Sequence, residues 1–182
     1  MFTETLFGNT QKTLALLGNS HLMDEAYLAG GTACALQLGH RISVDFDFFT
    51  PKEFDAKKLI HDLQKLGNFE VDPLPFHSFQ GIHITDLRDI AAMKIDAIGS
   101  RGIKRDFVDL YFICRSGLTL AEILRLYERK YGSLSSKKMH ILKSLVYFND
   151  AEVSEKPRML KEVNWEKVKK YFEAEVRKLA NK

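Results

Sequence analysis

The chain has 182 residues, 45% of them apolar or aromatic, and its 27 basic and 24 acidic side chains leave a net charge of +3. High apolar content with low net charge excludes an intrinsically disordered chain, and 11 Gly with 4 Pro exclude a collagen-like or low-complexity one. The small basic excess permits an acidic partner such as nucleic acid without requiring it.

Apolar residues at helical spacing over 5–17, stopped by Gly18-Asn19, predict a first helix. The run Ala26-Tyr27-Leu28-Ala29, then Gly30-Gly31, then residues 32–38 reads as strand, tight glycine turn, helix. Residues 41–49 (RISVDFDFF) alternate polar and apolar, the period of a half-buried strand with Val44, Phe46 and Phe48 turned to a core. Phe54, Leu59, Ile60, Leu63 and Leu66 mark an amphipathic helix closed by Gly67. Short strands are expected at 69–71 and 82–84, on either side of Pro73 and Pro75. Asp86 then caps a helix running to Gly99, and further helices are expected over 104–114, 120–131, 137–148 and 165–179. In the last, Trp165, Val168, Phe172, Val176 and Leu179 form an apolar stripe. Strands and helices mix in the first half and helices alone fill the second. This is an α+β pattern, expected to divide into an α/β core over 1–100 and a helical part over 101–182.

The strongest local signal is Ser43-Val44-Asp45-Phe46-Asp47-Phe48-Phe49. In a strand, residues two apart share a face, so Asp45 and Asp47 would present two carboxylates side by side. Their mutual repulsion is relieved by a hard dication such as Mg²⁺, which favours one or two carboxylates plus substrate phosphates. A solvated edge strand is the competing reading. Gly30-Gly31, between strand and helix, offers backbone amides to an anion and lets a phosphate approach the main chain; a plain tight turn is its alternative. The two segments are consecutive, joined by one helix and Gly39-His40-Arg41, and consecutive elements tend to be spatial neighbours.

Lys94 falls near the middle of the apolar stripe of its helix, among Leu87, Ile90, Ala91, Ala97 and Ile98, when residues advance by about 100° each. Either its stem snorkels to solvent or its ammonium serves a buried purpose, for which a nucleotide phosphate is one target. The helix beginning at Lys104 is apolar nearly all round, so Asp106 and Asp109 within it need a cation, a donor or a metal. Arg101, Lys104 and Arg105 could pair with them structurally, and a catalytic role is equally open. Cys34 and Cys114 are too few for a disulfide framework and form no C-x-x-C pair, so a cytoplasmic setting is expected. The first residues lack the long apolar core of a secretion signal, and no apolar run approaches the roughly 20 residues that span a bilayer, so no membrane partner is expected. The Lys/Arg-rich C-terminal helix, with acids interspersed, reads as a solvated face.

Four ordered motifs carry a resemblance. Gly30-Gly31-Thr32-Ala33, then Gly39-His40-Arg41 with Ser43-x-Asp45-x-Asp47-x-Phe49, then Ala92-Met93-Lys94, then Arg105-Asp106-x-x-Asp109-Leu110-Tyr111 resemble the AbiEii/AbiGii nucleotidyltransferase toxins over about residues 27–113. The resemblance implies a nucleotidyltransferase-like mixed β-sheet flanked by helices, with an all-helical C-terminal part. It implies Mg²⁺-dependent transfer, with one or two ions, of a nucleoside monophosphate from an NTP to an acceptor hydroxyl. In relatives the acceptor can be the 3′ end of tRNA, and the partner is a cognate antitoxin encoded alongside. Gly30, Gly31 and Thr32 would hold phosphates, with Arg41 and Ser43 beside them in the nucleotide-binding set. Asp45 and Asp47 would bind metal, Lys94 would contact phosphates, and Asp106 or its rival Asp109 would be the second essential acid. The alternative is a catalytically inactive protein of the same fold that binds an antitoxin or RNA. The family pattern also has an additional strand ahead of the Lys94 helix, and residues 69–84 show no Gly-Val-Lys-Val-type signal for it. Asp45→Ala or Lys94→Ala is expected to abolish transfer and leave the protein folded.

Overall fold

The computed structural model describes residues 1–66, 76–79, 82–132 and 134–180. The chain divides into two compact units, Met1–Asp86 and Leu87–Lys182. In the first, a short 3-10 turn at Thr3–Thr5 precedes α1 (Gly8–Asn19), β1 (Tyr27–Ala29), α2 (Gly30–Leu38), β2 (Asp47–Phe49), α3 (Ala56–Gln64), β3 (Phe76–Phe79) and β4 (Ile82–Thr85). The strands form one mixed sheet in the order β2-β1-β4-β3. β1 runs antiparallel to β2, Ala29 opposite Asp47, and parallel to β4, Leu28 opposite Ile84. β3 closes an antiparallel pair with β4, Phe76 opposite Thr85.

β1 lies inside the sheet and all three of its residues are fully buried, which is why Tyr-Leu-Ala shows no polar alternation. α2 packs on β1 and β2. Its Ala33, Cys34, Ala35 and Leu36 have no exposed surface, the mark of a helix enclosed nearly all round. α1 turns Leu14 and Leu17 inward, while Phe48, Ile82 and Ile84 complete this core from the strands.

The second unit contains only helices among the described residues: α4 (Leu87–Ser100), α5 (Lys104–Arg115), α6 (Leu120–Tyr131), α7 (Leu134–Ser144), α8 (Asn149–Val153) and α9 (Trp165–Ala180). α4 packs against α5, α6 and α7, and α5 against α8 and α9. Thr119 and Glu122 cap α6 reciprocally, which fixes its start. Phe107 on α5 anchors an aromatic cluster, with ring centroids 5.2 Å from Phe148, 6.0 Å from Trp165 and 5.6 Å from Phe172. The Trp165 indole N–H donates to Glu152, and the Lys104 ammonium lies over its ring.

The α+β class and the order of its elements agree with the sequence reading, and several boundaries differ. The strand expected over 41–49 is confined to Asp47–Phe49. Residues 42–46 leave the sheet because their polar groups find other partners: the Ser43 amide donates to the Thr5 carbonyl, and the Asp45 carbonyl accepts from the Thr32 hydroxyl. Val44, expected in the core, is 54% exposed, while Phe48 is buried. Gly30 and Gly31 form the first turn of α2 instead of a separate turn before it. β3 went unrecognised, and it supplies a strand ahead of β4 and the Lys94 helix. The strand expected at 69–71 lies outside the described residues. α7 begins and ends earlier than 137–148, because Leu145 to Tyr147 turn sharply and Asn149 restarts a separate short helix. α4 belongs to the second compact unit, which begins at Leu87.

Candidate active site

β1 ends at Ala29, and Gly30 opens α2 with φ of +61°, a left-handed backbone that side chains disfavour. A Cβ at Gly30 would overlap the Asp47 carboxylate. One at Gly31 would stand 2.5 Å from Arg41 Nη2 and 3.4 Å from Ser43 Oγ. The two missing side chains therefore let an acid, a guanidinium and a hydroxyl close on the start of the helix. Thr32, fully buried, donates its hydroxyl to the Asp45 carbonyl and ties that segment to the first turn. Arg41 and Ser43 are buried, and Arg41 Nη1 donates to the Ile42 carbonyl, which orients the guanidinium. The first unit thus gathers Gly30, Gly31, Thr32, Arg41, Ser43, Asp45 and Asp47.

What this arrangement can do follows from its charges. First-turn amides have no intrahelical acceptor, and the helix dipole makes this end positive. A carboxylate is stabilised there, and a phosphate is held by the same groups. Asp45 and Asp47 are exposed, while Ser43 and Phe48 on either side are buried. Two accessible carboxylates are hard oxygen donors, a set that fits Mg²⁺. The shared-face argument itself does not apply as drawn, since Asp45 precedes β2 and is not a strand residue. The pair is placed by the register of β2 on β1 and by the Thr32 anchor.

Lys94, Asp106 and Asp109 come together in the second unit. Lys94 is 6% exposed, and its Nζ lies 2.9 Å from Asp106 Oδ1 and 2.8 Å from Asp109 Oδ2. Arg101 completes the group, its Nε and Nη2 donating to the two oxygens of Asp106 at 2.9 and 3.1 Å. α4 presents the lysine and α5 the two acids, one helical turn apart, across the α4–α5 packing. Burial opposes the Lys94 charge, but Asp109 and Asp106 outweigh it and raise the lysine's pKa. Burial likewise works against ionised Asp106, and Lys94 with Arg101 reverses it, holding the carboxyl below its usual range. Lys104, another expected partner, turns elsewhere. Lys104 stacks on Trp165 and reaches Glu152, and Arg105 is exposed.

The pairing of Lys94 with both aspartates is the feature that sequence reasoning missed. The signal was present as two separate anomalies, a cation on one buried face and acids on another, each able to satisfy the other.

None of the described helices is long and apolar enough to cross a membrane. An uncharacterized protein of Aquifex aeolicus is 37% identical over 86% of this chain and 88% of its own length. No solved structure matches the chain significantly. The model of one family, described as the nucleotidyl transferase AbiEii toxin of type IV toxin–antitoxin systems, matches residues 13–82 and 70–180. With that coverage, the chain belongs to the AbiEii family of nucleotidyltransferase toxins.

Proposed function

We propose that the protein is a Mg²⁺-dependent nucleotidyltransferase that moves a nucleoside monophosphate from an NTP to the 3′ end of a tRNA in the cytoplasm. This activity would be its toxic action, and the cognate antitoxin its restraint. The observation that carries the reading is the Asp47 carboxylate lying over the side-chain-free Gly30 at the start of α2. In the reaction the acceptor hydroxyl oxygen bonds to the α-phosphorus and gives its proton to water, the bond from that phosphorus to the bridging oxygen breaks, and pyrophosphate leaves with that oxygen. Asp45 and Asp47 would hold Mg²⁺, which would supply Lewis-acid charge at the phosphoryl oxygens. The Gly30 and Gly31 amides and the Thr32 turn hold phosphate, which can approach the main chain because no Cβ intervenes. Arg41, already oriented beside Gly31, adds a planar fork suited to phosphate, and Ser43 adds a hydroxyl.

Lys94 is assigned to phosphate charge, since its carboxylate partners keep it protonated throughout the physiological range. A general base needs proton affinity near the working pH. Asp106 has lost affinity and spends both oxygens on Lys94 and Arg101, so its part is to hold the lysine. Asp109, with no exposed surface and its Oδ2 on Lys94, shares that part.

The test incubates the protein with each α-³²P-labelled NTP, Mg²⁺ and total tRNA. Label should enter RNA with at least one NTP. Asp45→Ala and Asp47→Ala, at exposed positions, should each lower the rate by about 100-fold or more while leaving the circular dichroism spectrum unchanged. Full activity in either variant would refute the metal assignment. No transfer under any NTP would favour the inactive, binding-only reading.

A further inference from the structure

Charge is divided unevenly along this chain. Of the 27 basic residues six precede Leu87, against eleven of the 24 acidic ones, so the first unit carries −5 and the second +8. Within the second unit the excess is not spread evenly either. On α9, lysines have acidic neighbours: Lys169 pairs with Glu152 and Glu166, and Lys178 with Glu175. Between Glu128 and Asp150, by contrast, there is no acidic residue at all, while Arg129, Lys130, Lys137, Lys138, His140 and Lys143 all fall there. Lys130 reaches Asp89 on α4. Lys137, Lys138 and Lys143 are exposed on α7 and meet no acid among the described residues. His140 is committed to the fold through a 2.9 Å hydrogen bond between Nε2 and the Gly99 carbonyl, which fixes α7 against α4.

The same segment also exposes apolar and aromatic side chains. Met139 is 66% exposed and Tyr147, in the turn after α7, is 52% exposed. Lysines without counter-charges on one short segment with an accessible aromatic ring are the combination that holds a polynucleotide: ammonium groups neutralise phosphates and the ring stacks on a base. An acidic peptide would use the charges and leave the ring without a purpose.

We propose that the exposed surface of α7 and the Tyr147 turn is an RNA-binding surface, with Lys137, Lys138 and Lys143 on phosphates and Tyr147 stacked on a base. It deepens the acceptor half of the proposed function and rests on that reading for its purpose. Its test needs no catalysis.

Binding of a fluorescein-labelled 12-nucleotide single-stranded RNA is measured by anisotropy with full-length Asp47→Ala protein, without NTP, across a salt series. Lys137→Gln/Lys138→Gln/Lys143→Gln should weaken binding at least about tenfold and reduce the slope of log K against log salt by about 2, at roughly 0.7 per lost contact on single strands. Lys167→Gln/Lys170→Gln/Lys178→Gln on α9 removes the same charge and should change binding less than about threefold. Tyr147→Leu should weaken binding about fivefold or more with the salt slope unchanged. Equal losses from the two triple variants would show a net-charge effect and overturn the proposal. So would full binding by Tyr147→Leu together with equal competition by polyglutamate, which would mark a site for acidic protein. RNA binding without nucleotidyl transfer in the unsubstituted protein would refute the proposed function and leave this surface standing.

Discussion

Lys94 stands 6% exposed between two aspartates with no exposed surface, so replacing it does more than remove one contact. Lys94→Ala takes the shared cation from Asp106 and Asp109 and leaves only Arg101 on Asp106, and breaking a buried pair from one side costs about 3–5 kcal/mol. That revises the expectation that Lys94→Ala leaves folding untouched. A urea titration should show the loss, and Lys94→Met/Asp109→Asn should recover part of it by removing one stranded charge as well. The sign of the pH dependence follows from the shifts. Asp106 has a lower pKa folded than its usual 3.8, so its contribution is full above about 3.8 and fades as pH falls through the lower folded value. Lys94 has a higher pKa folded than its usual 10.5, so its contribution is full below that value and fades as pH rises through the higher one. The stability gap between wild type and Asp106→Asn should therefore stay level across neutral pH and narrow below about pH 3.8. Cys34 is buried, and burial pushes the Cys114 thiol up to about 11. Both should react with a thiol reagent at pH 8 far more slowly in the folded protein than in denaturant.

The β1–α2 junction depends on Gly30 for two separable reasons, and Gly132 allows them to be measured apart. Gly132, after α6, has φ of +60° and open space where a Cβ would go; Gly30 has nearly the same φ and the Asp47 carboxylate in that space. Gly132→Ala should cost about 1 kcal/mol for the left-handed backbone alone. Gly30→Ala should cost more and also lower transferase activity, because Asp47 must move. Equal costs with activity retained would show that Asp47 does not need its place over the glycine. Amphipathic and capping signals made most helices legible, α6 among them, since these are local properties of the chain. The strand at 41–49 misled because alternation records which residues could line a face, whereas pairing depends on where backbone groups find partners. Here Thr5 and Thr32 captured Ser43 and Asp45, and only Asp47–Phe49 remained for β1. β3 was obscured for a related reason: Phe-His-Ser-Phe is a weak pattern, given its identity by pairing with β4.

At the scale of the molecule, the family and the α+β class could be read from residues, but the packing partners of α4 could not. An apolar stripe shows that α4 buries one side without naming its partner, and packing with α5, α6 and α7 assigns it to the helical unit. If the toxin reading is right, induced expression in a bacterial host without the antitoxin should arrest growth. Asp47→Ala at equal protein level should restore it, and arrest by both forms would separate toxicity from transfer. The aromatic cluster around Phe107 has a practical consequence. Trp165 is the only tryptophan in the chain, so its emission reports on the helical unit that holds it. Followed beside far-ultraviolet dichroism through a denaturant gradient, that single fluorophore would tell whether the sheet-bearing half melts in step with its neighbour or on its own.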